Sequence, residues 1–255
     1  MNRAMVIEAH LSYACNLRCG HCNRGVGLGV DHTPDMTLSQ WEGFLESIPA
    51  WLKIKGIHVL FTGGEPTLVP DLPRYIEVTQ RVMPIMTPGG CGPNGNAWVS
   101  VGSNEATQAS RALLGDLCER YGVSVMGSNK RAGLPTKPFV TDMFLSPVDS
   151  GEVRDQPCEY AWRCGISVDA HGMTLCPCGG MIDGILRLGV RTWDWHALTY
   201  ESLMRLCAHC GRGLNGRGNR YTRNREPVCE IVDVHGFRMT REWQTAVENG
   251  GGLCV

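Results

Sequence analysis

The chain has 255 residues, 43% hydrophobic and 19% charged, with a formal net charge of −1 at neutral pH. That composition excludes wholesale disorder, and the near-zero net charge excludes recognition of a polyanion by bulk charge, so any basic surface is local. The length allows one domain, or a main domain with a small appendage. The first residues, Met1-Asn2-Arg3-Ala4-Met5-Val6-Ile7-Glu8, contain no long apolar run of the secretory kind. No stretch approaches the roughly 18 apolar residues of a membrane span, so the sequence reads as a soluble cytoplasmic protein without a membrane partner.

Val6 to Leu11 reads as a strand, followed by a loop carrying Cys15, Cys19 and Cys22. Residues 23–36 lack periodicity. Thr37 and Gln40 form a T-x-x-Q capping box, and Leu38, Trp41, Leu45, Ile48 and Leu52 then recur at helical spacing. Residues 57–61 read as a buried strand, with His58 as a structural residue within it. That strand ends in Gly63-Gly64-Glu65-Pro66, and a helix from about Asp71 to Met83 follows, stopped by Pro84. Residues 87–96, which include Cys91, read as a loop. Trp98 to Val101 is a strand, Asn104 caps the next helix, and Gly122 ends it. Val123 to Met126 and Phe139 to Leu145 are further strands.

Strands alternating with helices imply right-handed βαβ units and a parallel sheet. About five strands precede residue 150, too few for a closed eight-stranded barrel. Beyond that point cysteines, glycines and short segments replace long helices. The expected division is therefore 1–150 as the main α/β domain and 151–255 as a cysteine-rich region. In the second region a helix near Arg241, with Trp243 and Val247, is read as packing.

Thirteen cysteines are the dominant feature. In a reducing compartment an odd count of this size points to metal rather than to a disulfide framework. Cys15, Cys19 and Cys22 supply only three thiolates, one fewer than a [4Fe–4S] cube normally takes. One iron would lack a protein ligand, and an open metal position is where a small molecule binds. Gly63-Gly64 permits close backbone approach at the C-terminal end of a parallel strand, where ligands collect, and Glu65 adds a carboxylate.

Together, Cys15-Asn-Leu-Arg-Cys19-Gly-His-Cys22 and Gly63-Gly64-Glu65-Pro66 resemble the CxxxCxΦC and GGEP motifs of the radical S-adenosylmethionine (SAM) superfamily. The resemblance implies a partial (β/α) barrel of that family's type with a small cysteine-rich C-terminal appendage. It implies that Cys15, Cys19 and Cys22 hold a [4Fe–4S] cluster whose open iron binds SAM, with His21 in the usually aromatic position. It implies SAM contacts at Gly63, Gly64 and Glu65, and at Ser103 and Asn104, although helix capping explains Asn104 equally well. Reductive cleavage of SAM would give a 5′-deoxyadenosyl radical that takes a hydrogen atom from a substrate, with a flavodoxin- or ferredoxin-type electron donor.

Seven more cysteines lie between 158 and 229. Cys207-Ala-His-Cys210 is a CxxC knuckle, and residues 164–178 read as a hairpin turning near Ala170-His171-Gly172. Hairpin plus knuckle resembles the Twitch and SPASM appendages. The resemblance implies one auxiliary [4Fe–4S] cluster on Cys164, Cys176, Cys207 and Cys210, with Cys158 and Cys178 competing for places. A structural zinc on the same residues is the alternative. Within the Arg- and Gly-rich residues 211–225, Arg217 and Arg220 are candidate contacts to a nucleotide, a nucleic acid or another anionic small molecule. Two other readings stay open: a peptide maturase of the same superfamily, and a non-catalytic zinc-binding interaction module.

Overall fold

The computed structural model describes residues 5–17, 24, 34–83, 98–127, 148–149, 157–158, 161, 164–210 and 238–239. Cys19, His21, Cys22, Cys91, residues 139–145, the arginine-rich residues 211–225 and the helix expected near Arg241 lie outside them. The fold is mixed α/β. In chain order the elements are β1 (Met5–Ser12), α1 (Leu38–Ser47), α2 (Ala50–Lys55), β2 (Ile57–Gly63), a 3-10 turn (Pro66–Leu68), α3 (Leu72–Val82), β3 (Val99–Ser103), α4 (Gln108–Tyr121) and β4 (Ser124–Gly127). They continue with β5 (Val148–Asp149), β6 (Ile166–Asp169), β7 (Gly172–Thr174), α5 (Gly179–Leu186), a 3-10 turn (Trp195–Ala197), α6 (Tyr200–Cys207) and β8 (Arg238–Met239).

The main sheet is six-stranded, in the order β4-β3-β2-β1-β6-β7, and β5 with β8 forms a separate antiparallel pair. Strands β1 to β4 and β6 are parallel to their neighbours, and only β7 runs antiparallel, to β6. The order from β1 to β4 advances one position at a time. Right-handed crossovers that always step the same way place their helices on the same face.

That face is the apolar one. Ile7, Ala9 and Leu11 of β1 line up with Ile57, Val59 and Phe61 of β2, Val99 and Val101 of β3, and Ile166 and Val168 of β6. Trp41 of α1 closes over them, its ring 5.4 Å from Phe44 and 5.4 Å from Phe61. Its indole N–H donates to Thr79 Oγ1 on α3 at 2.9 Å, so burying the one polar atom of the ring leaves no orphan donor.

The expected single helix over 38–52 is two. Its start is as expected, with Thr37 and Gln40 forming the reciprocal capping box. Ile48 adopts ψ 124, the extended setting that a residue before proline takes, and Pro49 therefore breaks the helix between α1 and α2. At the other end of the domain, α4 is capped by Thr107, whose side chain accepts from Ser110 N–H, and not by Asn104. Gly122 ends α4 at φ 65, in the left-handed region that glycine adopts without strain.

The hairpin at 164–178 forms as expected, turning at Ala170 and His171 between β6 and β7. It also extends the main sheet, because β6 pairs with β1. The chain that follows folds back onto α1: Trp195 stacks on Phe44 at 5.8 Å, and its Nε1–H donates to Ser47 Oγ at 3.0 Å. Hairpin and main domain therefore share one core. Among the described residues no helix is long and apolar enough to cross a membrane.

Candidate functional site

The C-terminal ends of β1, β2 and β3 meet at one place. After Ser12 the chain runs Tyr13-Ala14-Cys15 along the end of β2. Gly64 N–H donates to Ser12 O at 2.9 Å, and Glu65 N–H donates to Ala14 O at 2.8 Å. This explains the paired glycines. A Cβ at Gly63, which has φ 121, would stand 2.4 Å from Ser12 O, and one at Gly64 would stand 2.0 Å from Ala14 O. The close approach they permit is to the chain leading into Cys15.

Glu65 is 1% exposed. Its carboxylate gathers the surrounding chain: Oε1 accepts from Thr67 N, Thr67 Oγ1 and Ser103 Oγ, and Oε2 accepts from Asn104 N–H at 2.7 Å. Ser103 and Asn104 thus sit at the end of β3 as partners of the Gly-Gly-Glu turn. The Asn104 side chain accepts from Ala106 N–H at 2.8 Å, donates to Asn16 Oδ1 at 2.7 Å, and lies with Nδ2 3.8 Å from Cys15 Sγ. Leu17 N–H also points at that sulfur, 3.4 Å away. Cys15, Gly63 to Glu65, Ser103 and Asn104 therefore form one hydrogen-bonded unit. Donors aimed at a cysteine sulfur stabilise its thiolate and tune any metal it binds.

A second group forms where the turn after β7 meets the end of α6. Cys176, Cys178, Cys207 and Cys210 are all buried in one small core with Met181, Ile182, Leu203 and Leu206. Gly179 N–H donates to Cys176 O, and Cys210 N–H donates to Cys207 O, so each cysteine pair sits on its own tight turn. Burial pushes the Cys178 thiol well above its ordinary range, and Cys176 and Cys210 beside it push the same way. Cys164 and Cys158 are half-buried; the Cys164 thiol lies against Glu8 on β1. Of the expected ligands, the structure brings Cys176, Cys207 and Cys210 into one core, with Cys178 as their neighbour. Among the described residues no three His, Cys, Asp or Glu side chains form a group that could hold a metal ion.

Sequence reasoning missed a buried polar network beneath the first group. Glu8, His10 and Asp169 are at most 4% exposed. Arg24 forms an ion pair with Glu8, Tyr13 O–H donates to Asp169 Oδ2 at 2.9 Å, and His10 Nδ1 lies 3.3 Å from Tyr13 Oη. Arg191 bridges Asp169 at 3.1 Å and Asp183 at 3.0 Å. Burial lowers the His10 pKa, and the Arg24 charge lowers it further. Burial opposes ionisation of Glu8, but Arg24 and His10 outweigh it and hold the carboxyl below its usual range. The sequence signal was available: Glu8 and His10 interrupt an otherwise apolar strand at i and i+2. His58, read as structural, projects from the same side of β2 as these residues and contacts Ser100 Oγ at 2.7 Å.

Comparison with protein-family models and with curated proteins gives no match to this chain.

Proposed function

We propose that the chain is a radical SAM enzyme built on a partial (β/α) barrel with a C-terminal auxiliary metal site. One observation carries the reading: the Cys15 loop, the Gly63-Gly64-Glu65 turn and Ser103-Asn104 form a single hydrogen-bonded unit at the C-terminal edge of three adjacent parallel strands. That edge is where ligands of parallel α/β sheets bind. The one-step winding from β1 to β4, with helices on a single face, is how a barrel is wound and not how a doubly wound sheet is.

Cys15, Cys19 and Cys22 would hold the [4Fe–4S] cluster. When bound, that cluster supplies the electron that cleaves SAM into methionine and a 5′-deoxyadenosyl radical. The chain's own residues hold the surroundings. The Gly63-Gly64 backbone fixes the approach to Cys15. Glu65 locks the end of β2 to the end of β3. Asn104 Nδ2 and Leu17 N–H face the Cys15 sulfur. Flavodoxin or ferredoxin would supply the electron.

The second group fits a metal in kind: four soft thiols, buried together, on two tight turns. Cys178 joins Cys176, Cys207 and Cys210 as the favoured set, with an auxiliary [4Fe–4S] cluster as the favoured occupant. Binding deprotonates thiols and draws them inward, so packed thiols are the arrangement that it would tighten. Structural zinc is the second reading here, because the same four thiols suit it equally.

Anaerobic purification tests both sites. The expected result is brown protein with iron and sulfide in equal amounts, about eight of each per chain for two cubes. It should release methionine and 5′-deoxyadenosine from SAM on reduction. About four iron atoms with one zinc would assign the second site to zinc. Colourless protein that leaves SAM intact would end the radical SAM reading.

A further inference from the structure

A central parallel strand is ordinarily apolar on both sides, because both faces of the sheet are covered. Here only one side of β1 is apolar throughout. Side chains alternate along each strand, and parallel register carries the alternation across the sheet. Glu8 pairs with Leu60 and Ser167, Leu60 with Ser100, and Ser100 with Ser124. One step along, His10 pairs with Thr62. The face opposite α1, α3 and α4 is thus polar, with Glu8, His10 and Asp169 buried on it and α5 packed over its β6–β7 end, where Gly180 lies against Asp169. Thr62 and Gly102 are half-buried, so the row through His10 opens toward β3.

Proton positions on this surface can be assigned. Tyr13 has one hydroxyl proton and donates it to Asp169 Oδ2. The contact between Tyr13 Oη and His10 Nδ1 therefore requires Nδ1 to carry a proton and donate it. Burial and Arg24 keep the imidazole neutral, so its other nitrogen, Nε2, is a bare acceptor. His10 is 2% exposed, and among the described residues Nε2 has no hydrogen-bond partner. Glu8 Oε2 lies 3.9 Å away, and it is itself an acceptor and too distant for a hydrogen bond. Two acceptors at that separation fit one small group that donates to both. An orphaned buried acceptor is costly, which favours a ligand that donates to it.

Charge selects the group. Among the described residues, three carboxylates (Glu8 and Asp169 on this face and Asp183 on α5 beside it) meet two guanidiniums, Arg24 and Arg191. Glu65, at the head of the same sheet, accepts only from neutral donors in its hydrogen bonds. A further anion would meet this excess of negative charge. A cation would neutralise part of it.

We infer that the polar face of the sheet binds an amine: a small polar molecule whose ammonium group donates to both His10 Nε2 and Glu8 Oε2. This names the substrate class of the proposed enzyme, and it rests on that proposal only for calling the ligand a substrate. It departs from the anionic substrate expected from Arg217 and Arg220.

A matched set of sugars tests it: glucosamine, glucose and glucose 6-phosphate, which are cationic, neutral and anionic on one ring. Saturation-transfer NMR on the full chain, before and after anaerobic loading with iron and sulfide, should rank glucosamine first and glucose 6-phosphate last. N,N,N-trimethylglucosamine keeps the charge but removes every N–H donor, and it should bind at least about tenfold more weakly than glucosamine, the equivalent of one lost charged hydrogen bond. That probe needs no variant, so misfolding cannot confuse it. His10→Met, first checked by thermal unfolding, should remove the preference for glucosamine over glucose. Preference for the phosphate, equal binding of the trimethylated sugar, or no binding of any sugar (a buried water then filling the gap) would each overturn the inference. Iron content and SAM cleavage on the same preparation report separately. Amine binding without either would sink the radical SAM reading and leave the amine site standing.

Discussion

The described residues form two buried cores, and they are made differently. The first, under α1, α3 and α4, is aliphatic and aromatic throughout, with Trp41, Phe44, Phe61, Ile7 and Leu117 almost wholly buried. The second has ten buried members, four of which are cysteines, and it is built on two eight-residue helices. Helices that short do not persist alone. The first core needs nothing beyond its own side chains. The second is of the size that small domains supplement with a metal.

The largest expected effect follows from this contrast. Cys207→Ser should leave the first core intact and empty the second site, lowering iron from about eight to about four per chain, with new protease cleavage confined to residues 176–210. Unchanged iron and unchanged proteolysis would erase the distinction between the cores. The reciprocal change is Phe61→Ala. It should lower global stability in urea by about 3–5 kcal/mol through lost burial and a cavity against Trp41, while metal content in native protein stays as it was. If Phe61→Ala releases metal from the second site, the two cores unfold as one.

A smaller effect is expected where the first core meets the Cys15 loop. At Gly64 an added Cβ would meet backbone, Ala14 O at 2.0 Å, and backbone cannot rotate away as a side chain can. Gly64→Ala should cost about 1–3 kcal/mol, as overpacked sites do, and should weaken SAM binding in a titration of the loaded protein more than it weakens the fold. Loss of stability with unchanged SAM affinity would make these glycines a packing device only.

The winding of the sheet was legible in the sequence because each βαβ unit carries its own signals: the Thr37 box, the strand at 57–61, Gly122 after α4. Pro49 carries the signal for the break between α1 and α2, but the apolar periodicity of Leu38 through Leu52 runs across it and hides it. The head of the site was legible from motif residues. What held them together was not. Glu65 looked like a ligand carboxylate, yet of its four neutral donors two come from Thr67, two residues on, and two from Ser103 and Asn104, which only the fold brings near. The pairing of β6 with β1 was hidden for the same reason, since more than 150 residues separate Ile7 from Ile166. The polar face left a fainter trace, in Glu8 and His10 spaced two apart within an apolar strand.

That trace gives the smallest effect, a pH dependence that separates the polar face from the apolar one. His10 is held neutral in the fold, its pKa below the ordinary 6.5 through burial and the Arg24 charge, while Glu8 and Asp169 oppose the shift. In the unfolded chain the same imidazole takes up a proton as pH falls through about 6.5. The unfolded state then binds more protons than the folded one, so stability is flat above that pH and declines below it. At pH 5.5 the loss from this residue is at most about 1.4 kcal/mol, the value for one unit below the unfolded pKa. His58, also lowered by burial, adds a share of the same sign. Glu8, with its pKa below the ordinary 4.5, contributes a separate decline that begins only at more acid pH. Urea denaturation of the native chain and of His10→Gln at pH 7.5 and 5.5 isolates the first contribution, because His58 and Glu8 are common to both proteins. The native chain should lose more stability between the two pH values than the variant does. Equal losses would mean that His10 takes up its proton inside the fold, with Glu8 3.9 Å away to receive the charge, and Nε2 would then be a donor and not the acceptor that an amine requires.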